Sequence, residues 1–168
     1  MSLSMSQVAV PTLLRALANL QAVLGKAAAH CAEKKIDPSA LVSFRLYPDM
    51  LPLSAQVQIA TDMSKGCVAR LAGIDAPKFV DDENSFEQLQ ARIDKTIAFI
   101  KDVDLSAIDG TEDKPIVMKT PRGELKFTGQ NYLMNFVQPN VYFHATTVYN
   151  ILRHNGVVLG KMDFLGRP

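Results

Sequence analysis

The sequence predicts an all-α protein, an antiparallel four-helix bundle with a small β-hairpin or an extended loop before the last helix. Four segments of roughly 19 to 30 residues each place their apolar residues on one helical face, and polar or turn-forming stretches separate them. Such segments bury their apolar faces most simply by packing together. Because 168 residues that are 48% hydrophobic suit one domain, we expect a single domain over residues 1–168.

The first helix is predicted from about Ser6 to Lys35, where the apolar pattern is cleanest. Two series of small or apolar residues recur at intervals of seven and are offset from each other by three. They are Val10, Leu17, Leu24 and Cys31, and Leu13, Leu20 and Ala27. This spacing places all of them on one stripe, as in helices that pack nearly parallel.

The second helix is predicted from near Asp49, a plausible N-cap, to about Ala72. The third is predicted from about Ser85 to Val103. It opens with "SFEQ", a capping-box sequence in which the serine and glutamine side chains satisfy free amides at a helix start.

The stretch before the last helix has a different pattern. "KPIVMKT" and "GELKFTG" are short β-compatible runs on either side of "PRG", which predicts a small hairpin, with an extended loop as the alternative. The last helix is predicted to follow Thr128 and Gly129 and to end at Asn155. Pro139 lies inside it, so we expect a kink or a break near residues 135–140.

Composition argues against several classes of partner. The net charge of +1 comes from 18 basic and 17 acidic residues spread along the chain, so neither nucleic acid nor an anionic membrane is an expected partner. We see no membrane-spanning run and no secretory signal pattern, and therefore expect a cytoplasmic protein. Cys31 and Cys67 fall on apolar helix faces and are expected to be buried free thiols.

Two stretches carry a family resemblance: "NVYFHATTVYNILRHNG", from Asn140 to Gly156, and "AHCAEKKIDPSALVSFRLYPDMLPLSAQVQIATD". The first resembles the last helix of the DinB/YfiT-like superfamily, where an H-x3-H pair precedes an apolar run ending in Leu-Arg and a glycine. The whole chain resembles a bacterial family of unknown function within that superfamily. The resemblance implies four helices, frequent dimers, and a metal held by one histidine on the second helix and two on the fourth.

Carried over residue by residue, the resemblance places the second histidine of the pair on His144. It places the first on Asn140 and the helix-two ligand on Gln58, with Asp62 as a substitute oxygen ligand. Amide oxygens are poor ligands for zinc or nickel, so a bound divalent metal is disfavoured and the metal site looks degenerate.

His144 shares a helical stripe with Val137, Val141, Val148 and Ile151 and is therefore expected to point inward. Three roles stay open for it: a core histidine with satisfied ring nitrogens, part of a ligand pocket, or a metal ligand.

A polar patch inside the bundle is one further expectation. Asn140 and His144 are four residues apart, as are Gln58 and Asp62, so each pair shares a helix face. If the two faces meet, these four ligand-binding candidates form the patch; plain solvent exposure of Gln58 and Asp62 is the alternative.

The sequence leaves open whether the chain is an enzyme. The favoured hypothesis is a dimeric DinB-like bundle with a degenerate metal site and room for a small-molecule pocket. The alternative is a metal-dependent hydrolase or thiol transferase in which His144 and Asp62 hold the ion. A third hypothesis is an interaction module that uses a helix or the hairpin as its homodimer face.

Overall fold

The computed structural model describes residues 3–120 and 123–166. The chain forms mostly helices with one small antiparallel sheet, so the predicted helical class and the predicted hairpin are confirmed. The elements in chain order are α1 (Met5–Lys34), α2 (Pro38–Val42), α3 (Leu53–Ala72), α4 (Phe86–Asp102), a 3-10 turn (Leu105–Ala107), β1 (Pro115–Thr120), β2 (Gly123–Thr128), α5 (Gly129–Asn131), a π-helical segment (Tyr132–Val137), α6 (Gln138–His154) and α7 (Lys161–Leu165).

Four long helices share one hydrophobic core. The α3 helix packs on α6 and α4, and α1 packs on α4 and α6. Both seven-residue series of α1 are buried, as their spacing predicts. By length and composition alone α1 would also pass as a membrane-spanning helix, a test that core helices of soluble proteins pass as well.

The start of α3 differs from the sequence-based expectation. The helix begins at Leu53, Pro52 is its extended N-cap residue, and no side chain caps it. The predicted cap, Asp49, lies instead in a turn in which the amide of Met50 donates to the carbonyl of Tyr47. The physical reason is that a proline disfavours helical backbone at the residue before it, so the helix cannot extend back through Leu51.

The α4 capping interaction is shifted by one residue from the expected box. Ser85 accepts from the amide of Gln88 at 3.3 Å, as predicted. The Gln88 side chain, however, accepts from the amide of Asn84 at 2.7 Å rather than from that of Ser85.

The hairpin pairs β1 with β2, and the alternative of an extended loop is therefore wrong. Pro121 and Arg122 of the predicted turn lie outside the described residues. Ile116 is buried, and the ring of its cross-strand partner Phe127 packs on Tyr132 and Phe136, which attaches the hairpin to the helices.

The helical run from Gly129 to His154 is continuous, and it accommodates Pro139 without a break. The residues before the proline adopt π-helical hydrogen bonding, and Pro139 lies in the first turn of α6, where its missing N–H costs least. The inward direction of His144 follows from this continuity.

Candidate functional site

His144 is the most buried of the four residues predicted to form the polar patch, with 9% of its surface exposed. Its Nδ1 atom lies 2.6 Å from Oε1 of Gln56 on α3. Gln56 is itself 2% exposed. The two side chains therefore form a buried polar contact between α3 and α6. His144 points inward, as the sequence predicts.

The hydrogen bonds of Gln56 determine the protonation of this histidine. Gln56 Nε2 donates to the carbonyl of Leu51 at 3.1 Å, which turns Oε1 towards the imidazole. Because Oε1 can only accept, Nδ1 of His144 carries the proton and donates. In the neutral ring Nε2 is then left as an acceptor.

Burial lowers the pKa of His144 below its ordinary value of 6.5, because the charged ring loses solvation. The ring is thus neutral at neutral pH. The edge of His144 also meets the ring of Phe143 in a T-shaped contact with centroids 5.3 Å apart.

Gln58 and Asp62 form hydrogen bonds with charged side chains and not with His144. Gln58 Nε2 donates to Glu83 Oε2 at 2.8 Å, and Asp62 accepts from Arg92 at 2.8 Å and from Lys65 at 2.7 Å. The expectation that both share a patch with His144 is therefore corrected. Two residues along a helix correspond to a rotation of about 200°, so a face that presents Gln56 to α6 turns Gln58 away from it.

Arg92 on α4 is the centre of this second cluster, and it is 2% exposed. All five N–H groups of its guanidinium have acceptors within 3.1 Å. The acceptors are Thr61 Oγ1, the carbonyl of Val80, Glu83 Oε1, Asp62 Oδ1 and Asp81 Oδ1. The cluster joins α3, α4 and the connection between them, and its completeness indicates a structural role.

Glu83 is held as a carboxylate in this cluster. Burial raises its pKa, but the hydrogen bonds from Gln58 and Arg92 together outweigh burial and hold the pKa below its usual value. Two of the expected ligand candidates, Gln58 and Asp62, therefore serve an ion-pair network around the buried Arg92.

Asn140 is partly buried and bonds within its own helical run. Its Nδ2 atom donates to the carbonyl of Phe136 at 2.6 Å. Pro139 has no backbone N–H to donate where the π-helical segment meets α6. The side-chain amide of Asn140 supplies a hydrogen-bond donor there instead. Of the four candidates, only His144 takes part in the contact across the α3 and α6 helices.

A cavity of about 640 Å³ lies elsewhere, between α1, α6 and α7. Its lining is mostly apolar and does not include His144. The residues that line it are Thr12, Arg15, Ala16, Asn19, Leu20, Val23, Tyr142, Ala145, Thr146, Tyr149, Met162, Phe164, Leu165 and Gly166. This volume is in the range of small-molecule sites, about 300 to 1,000 Å³.

The α7 helix forms one wall of the cavity and is fastened to α1. Arg15 Nε donates to the carbonyl of Leu165 at 3.0 Å, and Asn19 Nδ2 donates to that of Phe164 at 2.9 Å. Lys26 forms an ion pair with Asp163 at 2.6 Å. The position of this wall is thus set by specific contacts along one side of α1.

The family model described as "Domain of unknown function (DUF1993)" matches residues 5–165. The chain belongs to this family. A crystal structure of a DinB family member protein from Shewanella denitrificans is similar to this DUF1993 protein, with 37% sequence identity and a TM-score of 0.88. The similarity covers 97% of this chain and 92% of that chain, and no curated protein matches. The predicted resemblance to a DinB-like family of unknown function is therefore confirmed.

The metal that the DinB-like superfamily implies does not fit the residues of this DUF1993 chain. Within residues 3–120 and 123–166, no group of three or more His, Cys, Asp or Glu side chains is placed to hold an ion. Two ligand atoms on one tetrahedral zinc ion lie about 3.3 to 3.6 Å apart, given metal–ligand distances near 2.0 to 2.2 Å. The 2.6 Å contact between His144 Nδ1 and Gln56 Oε1 is shorter than that, so these two atoms do not share an ion. The other ring nitrogen, Nε2, belongs to no group of three His, Cys, Asp or Glu ligands among the described residues.

Gln56 and Arg92 were not predicted as site residues from the sequence, although both carry a weak signal. Gln56 lies three residues after Leu53 and four before Ala60, so it interrupts the buried stripe of α3. Arg92 lies three residues after Leu89 and next to Ile93, on the buried face of α4. A polar residue at a stripe position is the pattern that would have identified both.

Proposed function

We propose that this DUF1993 protein is a metal-independent DinB-like protein that binds a small, mainly apolar molecule in the cavity between α1, α6 and α7. The observation that carries the proposal is the cavity itself, which is large enough for a ligand and lined mainly by apolar side chains. Three of its apolar lining residues are at least 42% exposed, namely Tyr142, Met162 and Leu165. Exposed apolar surface that is concave and contiguous marks binding sites.

Metal independence is supported by the lack, among the described residues, of a group of three His, Cys, Asp or Glu side chains that could hold an ion with His144. His144 Nδ1 donates to Gln56, which leaves Nε2 as its one free acceptor. Gln58, Asp62 and Asn140 form hydrogen bonds elsewhere. The metal-dependent hydrolase or thiol transferase remains the alternative, and it would need two further strong ligands beside Nε2 of His144.

Ligand binding is tested with N-phenyl-1-naphthylamine, a neutral dye whose fluorescence rises in apolar surroundings. We expect saturable one-to-one binding by the unmodified protein. The substitution Ala16→Phe fills the cavity and is expected to abolish binding, because Ala16 lines it. The matched control is Ala18→Phe, since Ala18 is exposed on the same helix and outside the lining.

Equal dye binding by the two variants and the unmodified protein would overturn the proposed site. Circular dichroism melting of each variant separates loss of the cavity from loss of the fold.

The arrangement of the four long helices and the oligomeric state are also part of the proposal. We infer that α1, α3, α4 and α6 form an antiparallel four-helix bundle in one domain over residues 1–168, supported by their mutual packing. A homodimer belongs to the proposal because the DinB-like resemblance implies frequent dimers. A monomeric mass in light scattering at micromolar concentration would overturn the dimer. A cytoplasmic location and the lack of nucleic-acid or membrane partners stay predictions from composition.

A further inference from the structure

The cavity contains one charged side chain among its lining residues, that of Arg15 on α1. Its Nε atom donates to the carbonyl of Leu165 at 3.0 Å, which holds the planar guanidinium across the gap between α1 and α7. No carboxylate in the described part of the chain forms an ion pair with it. No acceptor among the described residues is bonded to its two Nη groups, so these groups can donate to an anion.

The nearest acidic side chain on α7 does not compete for this cation. Asp163 forms an ion pair with Lys26 at 2.6 Å and also accepts from the amide of Gly160. Asp163 does not line the cavity. Among the described residues, Arg15 is consequently the one charged side chain in the lining, beside apolar walls.

The walls extend away from Arg15 on three helices. Leu20 and Val23 of α1, Ala145 and Tyr149 of α6, and Phe164 of α7 supply apolar surface. The rings of Tyr149 and Phe164 meet edge to face at 6.4 Å. A molecule that matches this arrangement has a hydrocarbon or aromatic body and one anionic end.

We propose that the cavity binds an amphiphilic carboxylate, with its carboxylate on the guanidinium of Arg15 and its apolar body between α1, α6 and α7. This inference rests on the proposed function, because it names the ligand class of the same cavity. Arg15 acts as the specificity-determining residue: an arginine forms paired hydrogen bonds with a carboxylate, and the apolar walls provide most of the affinity.

The test compares three probes of equal chain length, decanoate, decanol and decylammonium, by titration calorimetry below their micelle concentrations. We expect decanoate to bind about two- to fivefold more tightly than decanol, as an exposed ion pair provides. Decylammonium is expected to bind most weakly. Added salt should lower the affinity for decanoate and leave the affinity for decanol unchanged.

The substitution Arg15→Gln is expected to remove the advantage of decanoate over decanol. Because Arg15 also bonds the carbonyl of Leu165 in the cavity wall, the readout is the ratio of the two affinities within the same variant. The matched control is Arg153→Gln, which removes a charge from an exposed residue outside the lining. Decanol binding by Arg15→Gln reports that the cavity is still formed.

The outcomes separate the two proposals. If decanoate and decanol bind equally well, or if Arg15→Gln affects both equally, the carboxylate proposal is overturned and the apolar site stands. If none of the three probes binds and the neutral dye also fails, the cavity is not a ligand site and both proposals fail.

Discussion

The Nδ1 atom of His144 and the Oε1 atom of Gln56 lie 2.6 Å apart and join α6 to α3 inside the helical core. The contact engages Nδ1 and leaves Nε2 as an acceptor, while Gln58, Asp62 and Asn140, the other positions at which the superfamily resemblance expects ligands, form hydrogen bonds elsewhere. It also fixes the tautomer of the imidazole, because Gln56 is held by the carbonyl of Leu51. Several measurable properties follow from it and from the neighbouring Arg92 cluster.

The first prediction concerns the titration of His144. Its pKa is lowered by burial, so the folded protein binds fewer protons than the unfolded chain as pH falls. The stability that this group contributes is fully present above pH 6.5, the ordinary value, and is lost as pH falls towards the lower folded pKa. We expect nitrogen–proton correlation spectra to show a neutral ring protonated at Nδ1 at pH 7. A ring that titrates above the ordinary value would contradict the buried neutral contact.

The second prediction concerns Arg92. Replacement by methionine leaves Glu83, which is 10% exposed at its side chain, without its cation and is expected to destabilise the fold by about 3 to 5 kcal/mol. Chemical denaturation measures the change. Arg153→Met, at an exposed position, is the control and should change stability by less than about 0.5 kcal/mol. Similar losses in both variants would show that the cluster is not a structural anchor.

The third prediction concerns Gly129, where the chain passes from β2 into the last helical run. A Cβ atom there would lie 1.9 Å from the carbonyl oxygen of Thr111, a backbone atom that cannot rotate away. Gly129→Ala is expected to lower stability by about 1 to 3 kcal/mol. Gly160→Ala is the matched control, since its Cβ would meet nothing within 4 Å. Equal melting temperatures for the two variants would be inconsistent with this close approach.

The fourth prediction concerns the two cysteines. Burial raises the pKa of Cys67 to about 12 and also raises the pKa of Cys31, so little reactive thiolate exists at neutral pH. Both thiols are buried and unpaired. Reaction with Ellman's reagent should be slow in the native state and complete on unfolding. Rapid labelling of either thiol in the folded protein would refute the prediction.

Local pattern was sufficient to predict most of the helices. The seven-residue spacing in α1 identifies its buried stripe because that periodicity has one solution, a helix with one apolar face. The hairpin was likewise predictable from two β-compatible runs around a turn. The start of α3 was not predictable in this way. Asp49 is a residue type that commonly caps helices, but Pro52 disfavours helical backbone at the residue before it, so the helix begins after Pro52.

The site was less predictable, since it depends on which helix faces meet. Gln56 and Gln58 look equivalent as polar residues near an apolar stripe, yet a rotation of about 200° separates them. The partners of Arg92 come from α3 and from the 79–83 segment, so no local pattern contains them. The α7 helix has only 5 residues, and its position results from contacts with α1 rather than from its own sequence.

The metal content of the protein tests the central claim most directly. The protein is purified without chelators, alongside His144→Ala, and bound transition metals are quantified by plasma mass spectrometry. A metal-independent protein is predicted to contain far less than one equivalent of any transition metal, with no difference between the two samples. One equivalent of tightly held metal that His144→Ala removes would contradict the account.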